Sequence, residues 1–384
     1  MQHEPDFPVP DAAALAASAA LAERIRAAIE AAGGWIDFAR YMELALYEPG
    51  LGYYSAGGAK LGAAGDFVTA PELGDFLAAA LAASLRAELE QARRRIVLEL
   101  GAGTGALAEQ LFEQCASLGV PLDEYLILER SADLRHRQSE RLARFAPRVR
   151  WLDALPDAPL EAAIVANEVV DALPASCFVK RGGRALPLGV AADEAGGFRW
   201  AIGPEDEALA AEVAAIEAEL GTPLPDGYRS EVRPVVRGFV AALADALADG
   251  SITLIDYGLV RREYYHPERA GGTLLCHYRH RAHADPFLYP GLQDIGVWVD
   301  FSACAAAASA AGLDVAGFTT QAQFLLANLP ADALAGAGAD LRRAAALKTL
   351  LLPGEMGERF KVLKLAKGEC AQHPLGGRDL RSRL

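Results

Sequence analysis

Apolar residues near helical spacing open the chain. Leu15, Leu21, Ile25 and Ile29 set one face of an amphipathic helix over residues 11–32, and Gly33 and Gly34 end it. A glycine-rich stretch follows, EPGLGYYSAGGAKLGAAGDFVTAPELG (48–74). Loops of this length in a compact protein are usually functional or disordered, and Tyr53, Tyr54 and Phe67 argue against disorder. A second helix is expected from about Leu73 to Arg93. Then the period changes. The apolar runs IVLEL (96–100), YLILE (125–129), RVRWL (148–152) and AAIVAN (162–167) read as short strands. The helical segments ALAEQLFEQCASL and SADLRHRQSERLARF stand between the first three. Such alternation predicts a parallel sheet covered on both faces. Further strands are expected at ITLID (252–256), DVAGFT (314–319) and RFKVLKLAK (359–367). The stretch between Asp171 and Ser251 is too long for a simple crossover. Its segment 177–202 alternates as two or three antiparallel strands, followed by two helical segments, and reads as an insertion.

Composition narrows the function. The 384 residues are 52% hydrophobic, enough for a large core or two domains. The net charge of −14 opposes nucleic-acid binding and favours partners bearing Lys or Arg. Five scattered cysteines, with no CxxC pair, indicate reduced thiols in a cytoplasmic protein. The N-terminus lacks the charged start of a secretory signal, and the Ala/Leu runs are too short to insert in a membrane. The final segment, QHPLGGRDLRSRL, reads as a loose tail.

Chemistry concentrates where strands end. In LELGAGTGAL (98–107) a buried strand meets a glycine-rich turn that opens a helix. Gly101, Gly103 and Gly105 allow a ligand close to the backbone, and the helix start offers open N–H donors. Gly105 falls one residue early for the dinucleotide fingerprint, and no Walker Lys-Ser/Thr follows, so a pyrophosphate is disfavoured. Glu99, before the turn, suits a cation-bearing ligand. Glu129 ends the second strand, where dinucleotide folds bind ribose hydroxyls. Together these features fit an adenosine ligand without a diphosphate, such as S-adenosylmethionine. After the fourth strand come Asn167, Glu168 and Asp171. The two carboxylates and the amide are read either as a site facing a substrate or, for Asp171, as the cap of a following helix. Asp256 and Tyr257 end the fifth strand and are further pocket candidates. The cluster Cys276, His277, His280, His283 does not follow zinc spacing, so no metal is expected there. It reads instead as a basic, aromatic loop.

The chain resembles the MidA-like family of S-adenosylmethionine-dependent class I methyltransferases. The matching stretches are YMELALYEPGLGYY (41–54), GDFVTAPELG (65–74), LELGAGTG (98–105), NEVVDALP (167–174), IDYG (255–258), HRAHADPFLYPGLQDIGVWVDF (280–301) and ERFKVLKL (358–365). That family includes a mitochondrial complex I assembly factor that methylates a protein arginine. The resemblance implies an α/β Rossmann-like sheet of order 3-2-1-4-5-7-6 with the last strand antiparallel. It implies a methyltransferase core over 96–171 and 251–368, an N-terminal cap over 1–95, an insertion subdomain over 172–250 and the tail 369–384. It also implies S-adenosylmethionine as cofactor and S-adenosylhomocysteine as product. By the same carry-over Gly101, Gly103 and Gly105 line the methionine side, Glu129 the ribose and Asp153 the adenine. Asp66, Thr69 and Glu72 would close the pocket from above. Glu168 or Asp171 would hold the substrate nitrogen, with Asn167 fixing the loop. The implied partner is a protein with an exposed arginine, such as a respiratory-complex subunit. A small-molecule O- or N-methyltransferase, and an assembly or chaperone module that binds the cofactor without turnover, remain alternatives. The apolar insertion and the 320–350 segment also allow a homodimer.

Overall fold

The computed structural model describes residues 7–56, 69–338, 340–369 and 373–384. In chain order the helices α1 (Ala12–Ala31), α2 (Phe38–Tyr47), α3 (Ala70–Leu73) and α4 (Phe76–Gln91) come first. There follow β1 (Ile96–Leu100), α5 (Ala106–Ser117), β2 (Glu124–Leu128), α6 (Ala132–Arg141), β3 (Val149–Leu152) and β4 (Leu160–Asn167). Next are β5 (Ser176–Arg181), β6 (Arg184–Ala192), β7 (Phe198–Ile202), α7 (Glu207–Leu220), β8 (Arg229–Val232), α8 (Val235–Ala246), β9 (Leu247–Leu259) and α9 (Arg261–Tyr264). Then come β10 (Leu275–Tyr278), β11 (Arg281–His283), β12 (Asp294–Gly296), β13 (Val299–Asp300), α10 (Phe301–Ala310) and β14 (Asp314–Thr320). The chain closes with α11 (Gln321–Asn328), α12 (Ala331–Ala337), α13 (Leu341–Leu351), α14 (Met356–Arg359) and β15 (Phe360–Lys367). The fold divides into two compact units. One comprises Met1–Phe67, Ala172–Pro234 and Tyr265–Val297; the other comprises Val68–Asp171, Val235–Tyr264 and Trp298–Leu384.

The second unit is built on a mixed sheet of order β14-β15-β9-β4-β1-β2-β3. Strands β3, β2, β1, β4 and β9 run parallel, and β15 lies antiparallel between β9 and β14. With β9, β14 and β15 as fifth, sixth and seventh strands, this is the expected 3-2-1-4-5-7-6 order. All five positions of β1 are buried, as a parallel strand covered on both faces requires. Helices α4 and α5 cover one face through Leu81, Leu85, Leu107, Leu111 and Phe112. The helix expected from about Leu73 to Arg93 is α4, which starts at Phe76; Leu73 ends the separate short helix α3, and Gly74 stands between the two. Strand β9 is longer than ITLID and runs on to Leu259, where it pairs with β13, so Asp256 and Tyr257 lie within it. The tail is docked rather than loose over its described residues 373–384. Leu375 and Leu380 are buried, and the Leu380 amide donates to the Phe318 carbonyl at 2.8 Å. Two leucines among polar residues carry no periodicity, which hid the docking from the sequence.

In the first unit the antiparallel sheet β7-β6-β5-β8 lies with the three-stranded sheet β11-β10-β12 and helices α1 and α2. The separate cap and insertion expected from the sequence are joined here. Ile36 and Val190 exchange backbone hydrogen bonds of 3.0 and 2.8 Å, the Trp35 indole donates to the Ala201 carbonyl, and the Ser176 hydroxyl donates to Asp37. Leu21, Ile25, Phe38 and Tyr41 share one core with Leu188, Val190, Cys276 and Ile295. Helix α8, expected in the insertion, belongs to the second unit. The YEPGLGYY block folds back on α2, with the Tyr53 and Tyr54 amides donating to the Ala45 and Leu46 carbonyls. A side chain at Gly52 would meet the backbone of Tyr47 and Glu48 within 2.6 Å, so only glycine fits that turn. Arg279 and His280, both at positive φ, form the turn of the β10–β11 hairpin. Among the described residues no cluster of His, Cys, Asp or Glu is arranged to hold a metal.

Candidate active site

The glycine turn is set by backbone conformation. Gly101, Gly103 and Gly105 sit at φ 62°, 53° and 80°, the left-handed region that side chains disfavour. Gly105 is the N-cap of α5 and supplies no capping side chain, so the first helical amides stay open to a ligand. The Gly101 amide donates to the Leu128 carbonyl at 3.0 Å, which ties the turn to the end of β2. Thr104, the turn's polar side chain, donates to Glu72 of α3 and accepts from Arg141 at 2.6 Å. Arg141 also pairs with Glu109 at 3.2 Å. Residues 69–72, the described end of the GDFVTAPE block, are thereby clasped onto the turn by Glu72. Thr69 precedes α3 as its N-cap residue without a side-chain capping bond. Asp66 lies outside the described residues.

Two acids flank the turn differently. Glu99 lies inside β1, beside Ile127 and Val165, and accepts from the Tyr125 hydroxyl at 2.7 Å. Burial pushes its carboxyl up to about 7, partly offset by that hydrogen bond. Glu129 follows β2 and is buried. It accepts from the Ser131 amide at 2.9 Å and the Gln138 amide at 3.2 Å. Burial raises it too, against the pull of those donors. Asp153 stands in solvent, its side chain 92% exposed, and pairs with Arg135 at 2.7 Å. Arg135 in turn donates to the Glu129 and Leu152 carbonyls.

The loop after β4 is held from below by β9. The Asp256 carboxylate, almost fully buried, accepts from the Val170 and Asp171 amides at 3.0 and 3.1 Å, and the Glu168 amide donates to the Ile255 carbonyl at 2.9 Å. Asp256 thus ties the backbone of this loop to β9. The Asn167 amide donates to Glu168 at 3.1 Å, and its carbonyl oxygen is buried without a hydrogen-bond partner among the described residues. Glu168 sits at φ 54°, a conformation that costs a non-glycine residue on the order of 1–3 kcal/mol. Asp171 accepts from the Tyr257 hydroxyl at 2.5 Å. No helix follows Asp171; the next element is β5, so the helix-capping alternative falls away. Tyr257 packs edge-on against Trp298 and Phe360, at 6.3 and 5.6 Å between ring centroids.

This donor set suits a cationic adenosyl ligand. Open amides and left-handed glycines leave room for a ligand at the turn, Glu129 is an acceptor for hydroxyls, and the Asn167 oxygen and the β4 acids favour positive charge. Sequence reasoning found the glycines and acids because strand ends mark them. It missed Gln138 and Trp151, which lie in segments with no motif, and passed over Thr104 and Arg141.

A sheet in this order, with a glycine turn after its first strand and an acid after its second, defines a class I methyltransferase. The chain belongs to a family of S-adenosyl-L-methionine-dependent methyltransferases, whose model matches residues 76–319. It is 45% identical to a COG1565 superfamily protein from Burkholderia thailandensis solved with S-adenosyl-homocysteine bound. The TM-score is 0.89, over 97% of this chain and 99% of that one. A native structure of a Burkholderia thailandensis protein of the same superfamily matches with a TM-score of 0.87, at 45% identity and the same coverage. The chain is also 28% identical, over 71% of its length and 68% of the relative's, to the mitochondrial protein arginine methyltransferase NDUFAF7 of Danio rerio. S-adenosylmethionine is accordingly the methyl donor.

Proposed function

We propose that this methyltransferase modifies an arginine of a partner protein. The carrying observation is the carboxylate pair Glu168 and Asp171 on the strapped loop after β4, with Asp171 held by Tyr257. The arginine methyltransferase activity named for the Danio rerio relative supports the same reading. When bound, S-adenosylmethionine supplies a methyl on a positively charged sulfur. The acceptor guanidinium stays protonated in water, so its nitrogen lone pairs are delocalised and poorly nucleophilic. Carboxylates address this by holding the guanidinium through charge-assisted hydrogen bonds, orienting one nitrogen and accepting the proton it sheds as the N–C bond forms and the S–C bond breaks, with the neutral thioether S-adenosylhomocysteine as the leaving group. Glu168 is assigned that contact and that proton, and Asp171 the second hydrogen bond. The strained backbone at Glu168 fits a side chain kept for its direction rather than for stability.

The test is incubation with labelled S-adenosylmethionine and a lysate, with the labelled residue located by mass spectrometry. Label on a protein arginine is expected. Glu168→Gln should lower turnover at least a hundredfold while S-adenosylhomocysteine binds as before, the pattern of a group that acts on the acceptor. Label confined to a small molecule, or to another residue type, overturns the arginine reading.

A further inference from the structure

Gln138 is 0% exposed, and its amide makes three hydrogen bonds to three different strand tips. Its oxygen accepts from the Trp151 indole of β3 at 2.8 Å. Its nitrogen donates to the Gly103 carbonyl in the turn after β1 at 2.9 Å and to Glu129 after β2 at 3.2 Å. The amide orientation is chemically fixed. An indole N–H only donates, so the oxygen must face Trp151 and both amide hydrogens are left for the two acceptors. A donor on Glu129 favours the ionised carboxylate, the form that accepts from hydroxyls. Gly105 packs beside Gln138: a side chain at that position would be in ordinary van der Waals contact with it, 3.5 Å away, and what keeps the position glycine is its φ of 80°.

We propose that Gln138 is a positioning residue for methyl-donor binding, locking the glycine turn and the Glu129 carboxylate into one rigid ribose-binding edge. The proposal rests on Glu129 being the ribose acid. Binding then depends on the Glu129 charge, and the charged groups that face it are Arg135 of α6 and Glu99 of β1. Arg135 is itself paired with Asp153. Burial pushes Glu129 up; the Ser131 amide, then Gln138, pull it back. Removing the Gln138 donor raises Glu129 further, so cofactor affinity should begin to fall at a higher pH.

The experiment is calorimetric titration of S-adenosylhomocysteine across pH 5–8 into the full chain, the Glu129→Gln variant and two Gln138 variants. Gln138→Glu keeps the acceptor for Trp151 but replaces the amide donor with a second carboxyl, so that it and Glu129 share a proton and the pair ionises only at higher pH. Gln138→Met keeps the length and loses both, and serves if the first variant does not fold. Each Gln138 variant should bind about tenfold more weakly at neutral pH. Each should show the acid fall in affinity displaced to higher pH, and methyl-acceptor KM should be unchanged. Unchanged affinity in Glu129→Gln removes the ribose assignment and this proposal with it. Weakened Glu129→Gln beside unaltered Gln138 variants overturns the positioning role alone. A loss in the Gln138 variants that is equal at every pH and follows the melting temperature marks a merely structural residue and also overturns it.

Discussion

At the residue scale the decisive feature is which side chains are held and by what. Asp171 is held by a phenol hydroxyl at 2.5 Å, and Tyr257 is itself packed by Trp298 and Phe360. Tyr257→Phe keeps that packing and removes one hydrogen bond to a carboxylate. We expect kcat/KM for the acceptor to fall about tenfold with the melting temperature nearly unchanged. Steady-state kinetics beside a thermal melt checks this; equal loss of both would assign Tyr257 to the core. Glu99 gives a pH test with a definite sign. Its carboxyl rises from an ordinary 4.5 to about 7 in the folded chain, chiefly through burial. Between those values the folded state binds more protons than the unfolded one, so stability falls as pH rises, by roughly 3 kcal/mol in total. Glu99→Gln keeps an acceptor for Tyr125 and removes the charge. It should raise unfolding stability clearly at pH 8 and little at pH 5, read by urea denaturation.

At the element scale the strand tips were legible because their apolar runs stop abruptly at Gly or an acid. IVLEL into GAGTG, YLILE ending in Glu129 and AAIVAN into Asn167 mark β1, β2 and β4 without any tertiary information. What joins the tips was not legible. Gln138 lies on α6 among charged residues and looks like any surface glutamine, and Asp256 reaches across to a loop 85 residues away. Such contacts depend on sheet register, which no local pattern encodes. The same holds beneath the sheet, where Lys364 of β15 is fully buried 3.4 Å from Glu88 of α4, which also accepts from Ser251 of β9. Lys364 alternates poorly with its apolar neighbours, yet register makes it the partner of an acid on a covering helix. Removing one member of a buried pair leaves the other charge uncompensated. Lys364→Ala should therefore cost about 3–5 kcal/mol, and Lys364→Met with Glu88→Leu should recover much of it. Chemical denaturation of the single and double variants measures the difference; a double variant that recovers nothing would mean that the uncompensated Glu88 charge is not what the single variant costs.

At the scale of the whole molecule, charge separates the possible acceptors. Fifty-one acids against thirty-seven Lys and Arg leave −14, and two of those acids, Glu168 and Asp171, stand on the loop after β4. An arginine-bearing protein surface feels that field before it docks. A neutral small molecule does not. Salt screens charges beyond about 10 Å at 0.1 M, so long-range attraction weakens steeply across physiological ionic strength. Raising salt from ~25 to ~250 mM should then raise KM for a protein acceptor several-fold while kcat holds, because salt screens the long-range attraction far more than the short-range contacts proposed for Glu168 and Asp171. The KM for S-adenosylmethionine, a small ligand that needs no steering to a docking surface, should move much less. Initial rates at several salt concentrations, with each substrate varied in turn, give the comparison. An acceptor KM indifferent to salt would point away from a cationic protein surface and toward a small, uncharged acceptor reached without steering.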